Sequence, residues 1–360
     1  MLAIVQSNIK KLEDKTFNVF FYVLDTKGTP AGFMEYVYQT ALTLKNMGYN
    51  VVMLHNEKEF QGVGEWMGEE YANLPHKNVE QENVEINASD FLFIPELLSN
   101  VIVKTKKLPC KRVMILQNRD FMTEMMPVSA TPGELGITDA IVTTNAMERY
   151  LLAMFPDMRT HIVPPAINDV YKKGTEPQKL VVNIVAKNQS DVNRIIKPFY
   201  WRHPMYRWVS FRELRGLSIE TFSEALKEAA ITICIDDDTA FGYTILESLR
   251  SGSLTIAKMP SHLSDWMVED GKLTDSCLWF NDIDDVPDNI ANIVRTWTND
   301  AVPKEIYDAQ SKLDNTYTIK AQEESIKKVY VEGLFKKRLD EFKEVEQDVK
   351  NNVLKVDKED

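Results

Sequence analysis

The chain has 360 residues and a mass of 41.4 kDa, is 44% hydrophobic and 27% charged, and carries a formal net charge of −12. That length exceeds what one hydrophobic core usually supports, so two domains are expected, and the acidic balance argues against a protein coated in nucleic acid while leaving room for a local basic patch. Three widely spaced cysteines argue against a disulfide framework or structural zinc; the opening MLAIVQSNIKKLEDK has too short an apolar run for a signal peptide, no run approaches the ~20 apolar residues of a membrane span, and a cytoplasmic location is expected.

Residues 18–24, NVFFYVL, form an apolar, aromatic-rich run that reads as a buried parallel strand ending at the turn-forming DTKGTPAG. FMEYVYQTALTLKNMGYN follows, with Phe33, Val37, Ala41 and Leu44 at helical spacing and Gly48 in the closing position; VVMLHN reads as the next strand. Strand, Gly-containing loop, helix and strand begin a doubly wound α/β domain. DFLFIPE, RVMILQN and DAIVTTN continue it as three short strands ending in polar residues, the ends at which such sheets bind ligands.

Around residues 164–179 the pattern lapses into PPAINDVYKKGTEPQ, the candidate linker. A second α/β series then runs through LVVNIVA, RWVSF, the helix SIETFSEALKEAA, the strand ITICI, the stretch DTAFGYTILESLRSG and the strand LTIAK. From about residue 318 the chain reads as helix, with Phe335, Leu339, Phe342, Val345 and Val349 near one face, packing back on its own protein and fraying beyond about residue 350. The expected domains are an N-terminal, acceptor-side Rossmann-like domain over residues 1–170, a C-terminal nucleotide-binding one over 178–315, and a returning helix over 316–360. An oligomerisation helix is the alternative for the tail, and the oligomeric state stays open.

The chemistry concentrates in DTAFGYTILESLRSG. The turn Phe241, Gly242, Tyr243, Thr244 lies between a strand and a helix whose backbone N–H groups and dipole attract a diphosphate, and Gly242 permits close approach. Glu247, one turn further in, would repel phosphate if aimed at it, so it suits the neutral vicinal hydroxyls of a ribose. A nucleotide satisfies both features. Taken singly, each residue has a plainer reading: Glu247 as a capping carboxylate, Gly28 and Gly32 as turn formers, Lys187 as a surface lysine.

FGYTILESLRSGSLTIAK resembles the donor-binding signature of GT-B glycosyltransferases, especially the retaining family-4 type. DTKGTPAG resembles that family's Gly-rich loop after the first strand, and DAIVTTNAMERYLLAMFPDMRTHIVPPAIND the segment closing its N-terminal domain. The resemblance implies two Rossmann-like domains facing across a cleft and transfer of a sugar from a nucleotide-diphosphate donor, most readily a UDP-sugar, with no cofactor. By it, Glu247 holds the ribose, Gly28 and the N–H groups near Tyr243 and Thr244 serve the donor, and Lys187, with Arg194, neutralises the leaving diphosphate. Two departures stand out: Thr239 where the family has a second glutamate, and Ala186-Lys187 where it has Gly-Arg, which keeps the charge but not the guanidinium geometry. Thr239 also supports a noncatalytic GT-B-like binding protein as the alternative.

Asp236, Asp237 and Asp238 could hold a divalent metal on a diphosphate, but a helix-start phosphate site makes one unnecessary, so no metal is expected. His55, Glu96, Gln117 and Asp120, at strand ends of the first half, could orient or deprotonate an acceptor; Asp120 is the preferred choice. The acceptor is either a glycan or a hydroxymethylated DNA base of the kind phages modify. RIIKPFYWRHPMYRWVSFR interleaves Arg194, Lys197, Arg202, Arg207 and Arg212 with aromatics and no acid, as a nucleic-acid groove would, and Lys104, Lys106 and Lys107 form another basic run. The plainer reading makes those aromatics core residues.

Overall fold

The computed structural model describes residues 1–176, 178–235, 241–297 and 304–356. The chain forms two compact units, one from residues 1–164 and 322–360, the other from 165–321. The segment 165–176 thus belongs to the second unit.

The first unit is built on seven parallel strands: β1 (Asn18–Tyr22), β2 (Asn50–His55), β3 (His76–Asn78), β4 (Phe91–Pro95), β5 (Lys111–Leu116), β6 (Asp139–Val142) and β7 (Arg159–Ile162). Their order is β3-β2-β1-β4-β5-β6-β7. β4 and β6 are buried along their whole length and β1 nearly so, which is why, after the polar first residues Asn18 of β1 and Asp139 of β6, they read as apolar runs: helices cover both faces of a parallel sheet. The helix Gly32–Asn46 follows β1 and ends where Gly48 turns the chain at φ +87°. β3 and β7 are too short and polar to announce themselves in sequence.

The chain returns to this unit through a helix that is π-helical over Lys327–Phe335. A wider turn brings residues five apart onto one face. Tyr330 consequently packs on Phe93 at 4.9 Å between ring centres, and Phe335 on Phe91 at 4.6 Å and Phe17 at 5.1 Å. Arg338 Nη2 donates to Ala88 O at 2.8 Å, and the helix continues to Val356. The opening residues form a helix, Leu2–Glu13, that packs against the last one, burying Val5, Ile9 and Leu12.

At the amino-terminal edge of this sheet Asp139 is fully buried, with Lys111 Nζ at 2.5 Å, Arg159 Nη2 at 2.6 Å and His161 Nε2 at 3.3 Å. Burial raises its carboxyl pKa, but the hydrogen bonds from Arg159, His161 and Lys111 outweigh it and hold the group well below the carboxylate range. This is the edge opposite the ligand-binding ends of the strands.

The second unit holds a parallel sheet of β8 (Lys179–Val185), β9 (Ser210–Leu214), β10 (Ala229–Cys234), β11 (Leu254–Lys258) and, after the small hairpin β12 (Val268–Glu269) and β13 (Lys272–Leu273), β14 (Leu278–Phe280). Its order is β14-β11-β10-β8-β9. Val182, Ile184, Ile195, Phe199, Ile231, Ile233 and Ile256 form its core. Two expectations shift here. The strand read at RWVSF begins only at Ser210, because Arg207 and Trp208 form a turn, and the helix read through Ala230 stops at Glu228, leaving Ala229 and Ala230 as fully buried strand residues. Among the described residues no helix is long and apolar enough to cross a membrane.

Candidate functional site

In a doubly wound sheet the ligand crevice lies outside the carboxyl ends of the two neighbouring strands where the strand order reverses. In the second unit those strands are β8 and β10, paired at Val185 and Cys234 and extended by Ile235 N donating to Val185 O at 3.1 Å. Lys187 is exposed two residues beyond β8, just before the helix Gln189–Arg202. Beyond β10 the residues Asp236, Asp237, Asp238 and Thr239 lie outside the described residues, and the chain is described again from Phe241.

Gly242 then starts the helix Tyr243–Arg250 in the left-handed conformation, φ 82°. Only glycine fits: a Cβ there would sit 2.6 Å from Met267 Cε and 2.9 Å from Trp266 Cζ2. Trp266 is itself pinned, its Nε1 donating to Phe241 O at 2.7 Å. The first intrahelical bond runs from Leu246 N to Gly242 O at 3.0 Å. The N–H groups of Tyr243, Thr244 and Ile245 precede it and take no part in the intrahelical ladder. Glu247, one turn on, is 6% exposed. The far end of the helix is anchored by Ser248 Oγ to Thr255 Oγ1 at 2.8 Å, Ser251 Oγ to Tyr171 O at 3.1 Å and Arg250 Nη2 to Asp169 Oδ1 at 2.5 Å. A helix start and a lysine beside one strand-order reversal are the groups an anion site uses, and a buried carboxylate lies a turn behind them.

The other cations of this unit are placed differently. Arg194 Nη2 donates to Asp284 Oδ1 at 3.1 Å, and Arg202 Nη1 to Asp284 O at 2.9 Å and Asp288 Oδ2 at 3.2 Å. Arg212 is committed inside the unit: Nε donates to Asn183 Oδ1 at 2.9 Å, Nη1 to Glu228 Oε2 at 2.7 Å and Nη2 to Ala225 O at 2.7 Å. It clamps β9 to β8 and to the helix before β10. Of the interleaved aromatics Phe199 is buried, Tyr200, Tyr206 and Phe211 pack on the core, and Trp201 and Trp208 are exposed, as are Lys197 and Arg207.

In the first unit the order reverses between β1 and β4. Gly28 sits in the loop after β1 at φ +74°, and Asp25 shapes that loop by accepting from Lys27 N at 3.0 Å and Gln61 N at 3.2 Å. Gly32 opens the following helix. Glu96 is the first residue after β4 and is fully buried; its Oε1 accepts from Gln117 N at 3.1 Å and Asn118 N at 2.7 Å, beyond the end of β5. Burial pushes its pKa up to about 7 despite those bonds. Gln117 Nε2 donates to Phe33 O at 2.9 Å, and Asn118 caps the helix Arg119–Met125 by accepting from Asp120 N at 2.9 Å. Asp120 is half-buried on the first turn of that helix.

His55 lies further out, stacked on Phe60 at 4.1 Å, with His76 5.8 Å away; burial, then His55, lowers His76 to about 4. Lys104, Lys106 and Lys107 are exposed at and after the end of the helix Ser99–Lys104. Sequence reading passed over two residues of weight here. Trp266, 24 positions from Gly242, has no local signal, whereas Glu35 does: it is an acid flanked by Met34 and Tyr36 within a buried helix, 5% exposed and pushed up to about 7 by burial.

Both units are Rossmann-like, and the chain has the α/β fold of the GT-B glycosyltransferases. No protein-family profile matches it. It is similar to a curated alpha-1,6-glucosyltransferase of Actinobacillus pleuropneumoniae serotype 7 (strain AP76), 22% identical over 239 residues, 65% of this chain and 70% of that protein. Among solved structures, it is similar to the pneumococcal O-GlcNAc transferase GtfA in complex with UDP and GlcNAc (TM-score 0.59, 8% identity, 88% of this chain and 99% of that one). It also resembles a sucrose-phosphate synthase of Thermosynechococcus elongatus (0.60, 11%, 87% and 98%) and a glycosyltransferase from Rickettsia africae ESF-5 (0.58, 12%, 88% and 98%).

Proposed function

We propose that this protein is a glycosyltransferase that moves a sugar, a hexose in this reading, from a UDP-sugar to an acceptor hydroxyl with retention at the anomeric carbon. The observation that carries the reading is the crevice at β8 and β10: a left-handed Gly242 that opens a helix start, Lys187 across the neighbouring strand end, and Glu247 buried one turn behind. The N–H groups of Tyr243 and Thr244 and the Lys187 ammonium bind the diphosphate and stabilise the charge that develops as it leaves, the dominant contribution where no side-chain nucleophile is used. Glu247 accepts hydrogen bonds from the two ribose hydroxyls. Arg194 supplements Lys187 by leaving Asp284. The similarity to a glucosyltransferase and to a transferase bound to UDP and GlcNAc supports this donor class.

The acceptor is held at the first unit's reversal, with Asp120 orienting the attacking hydroxyl, while the Gly28 loop serves the donor. A glycan hydroxyl is the better acceptor. A DNA base would call on the basic-aromatic segment, yet Arg212 is committed inside the unit, Arg202 is bonded to Asp284 and Asp288, and four of the aromatics are packed. Replacing Glu247 by Gln keeps size and helix propensity while removing the charge. UDP affinity then falls by roughly tenfold or more, as a charge-assisted hydrogen bond worth ~1.5–3 kcal/mol is lost. Selection against a 2′,3′-dideoxy nucleotide, strong in the wild type, weakens in the variant. A variant that binds UDP as tightly as wild type refutes the ribose assignment.

A further inference from the structure

The carboxyl of Glu96 occupies the one place in the first unit where a ligand crevice is expected, directly after β4 and beside β1, yet it is fully buried and cannot itself reach an acceptor in water. The hydrogen bonds it accepts from other residues fall on a single oxygen, Oε1, and come from consecutive backbone N–H groups, Gln117 at 3.1 Å and Asn118 at 2.7 Å. Oε2 is buried without a hydrogen-bond partner. Two consecutive N–H groups converging on one oxygen fix the peptide planes that leave β5. What those planes carry is the functional edge: Asn118 caps the helix that presents Asp120, and Gln117 reaches back to Phe33 O in the first turn after the Gly28 loop. Glu96 therefore braces the 117–118 backbone through Oε1, and that segment in turn reaches the turn at Phe33 through the Gln117 side chain.

We propose that Glu96 is a positioning residue of sugar transfer: its Oε1 sets the backbone of the 117–120 turn, and through it the placement of Asp120 against the acceptor. The proposal rests on the glycosyltransferase reading. It explains why burial is tolerated at this position: the side chain is needed as an acceptor of two N–H bonds, a task the protonated acid also performs, and a pKa raised to about 7 keeps that form accessible. It also specifies what a replacement must keep. Glutamine offers the same carbonyl oxygen at the same reach. Alanine leaves two buried N–H groups without an acceptor, and aspartate falls one methylene short of them.

The test compares full-length wild type, Glu96→Gln, Glu96→Asp and Glu96→Ala for hydrolysis of UDP-glucose, with water as the acceptor, alongside UDP binding by calorimetry. Glu96→Gln is expected to retain kcat within about threefold. Glu96→Ala loses on the order of tenfold to a hundredfold in kcat, the scale of an ångström-size misplacement, with the UDP dissociation constant and the KM for UDP-glucose unchanged within about twofold. Glu96→Asp falls between, and decides the matter if the alanine variant does not fold. The proposal is overturned if folded Glu96→Ala or Glu96→Asp turns over like wild type, if Glu96→Gln is as impaired as Glu96→Ala, or if the loss appears in UDP affinity. Wild type that releases UDP neither from UDP-glucose nor from any other UDP-sugar assayed beside it removes the glycosyltransferase reading, and the Glu96 assignment with it. Wild-type turnover undiminished in the variants removes only Glu96.

Discussion

Gly242→Ala probes fold and function at the same atom. The residue sits at φ 82°, where an L side chain costs about 1–2 kcal/mol. Its new Cβ would lie 2.6 Å from Met267 Cε and 2.9 Å from Trp266 Cζ2. The methionine end can swing away. The indole cannot do so without breaking its 2.7 Å bond to Phe241 O, so overpacking adds about 1–3 kcal/mol. The sum, roughly 2–5 kcal/mol, is a large part of a typical domain's stability. Urea titration of the second unit's transition should show that loss, and calorimetry should show UDP binding at least tenfold weaker, because relief of the clash turns the N–H groups of Tyr243 and Thr244 away. A variant within about 0.5 kcal/mol of wild type, the range of ordinary surface changes, that binds UDP normally would refute the reasoning at both levels.

Two further outcomes follow from buried carboxylates in the first unit. Glu35 accepts from Gln39 Nε2 at 2.8 Å, and burial raises it from its ordinary 4.5 to about 7. At this group the folded state therefore holds its proton between about pH 4.5 and 7 where the unfolded chain does not, and the contribution of Glu35 to stability falls as pH rises through that window, by up to roughly 3 kcal/mol. Glu96, also raised to about 7, adds a fall of its own in this window and His76, lowered to about 4, opposes both, so Glu35→Gln should remove Glu35's share of the slope in urea titrations; an unchanged slope assigns none of it to Glu35. Asp139 is the opposite case, depressed by its cations, so Asp139→Asn should cost about 1.5–3 kcal/mol at neutral pH, the loss of charge-assisted hydrogen bonds to Lys111 and to a half-exposed Arg159 that water can still solvate. A loss below 1 kcal/mol in the urea midpoint would show that water already screens the cluster.

What could be read from sequence was whatever depends on neighbours along the chain. NVFFYVL, its loop and the helix closed by Gly48 show their periodicity locally, and so does the Gly242 turn, whose left-handed glycine and following helix share one short stretch. What could not be read depends on register. Asp139 meets Arg159 only because β6 and β7 pair at those residues, and Arg212 meets Asn183 only because β9 lies beside β8. An interleaved run of arginines and aromatics looks the same on paper whether its members point outward, lie bonded to neighbouring elements as Arg212 does, or turn inward as Phe199 does. The helix Leu2–Glu13 carries Val5, Ile9 and Leu12 at helical spacing and was legible in principle, but a reading concerned with export signals passes over it. The π-helical Lys327–Phe335 was not, since its spacing of five is set by the aromatic pocket of Phe17, Phe91 and Phe93 that receives it.

In the function proposed, the chain binds a UDP-sugar at the start of the 243–250 helix and breaks its sugar–phosphate bond without a metal. The most direct measurement is UDP release from a panel of nucleotide sugars by the purified full-length protein in excess chelator, with Glu247→Gln as the control. UDP release from at least one UDP-sugar, retained in chelator and suppressed in the variant, is the result predicted. A folded protein that leaves every nucleotide sugar intact, with or without added manganese, would contradict it.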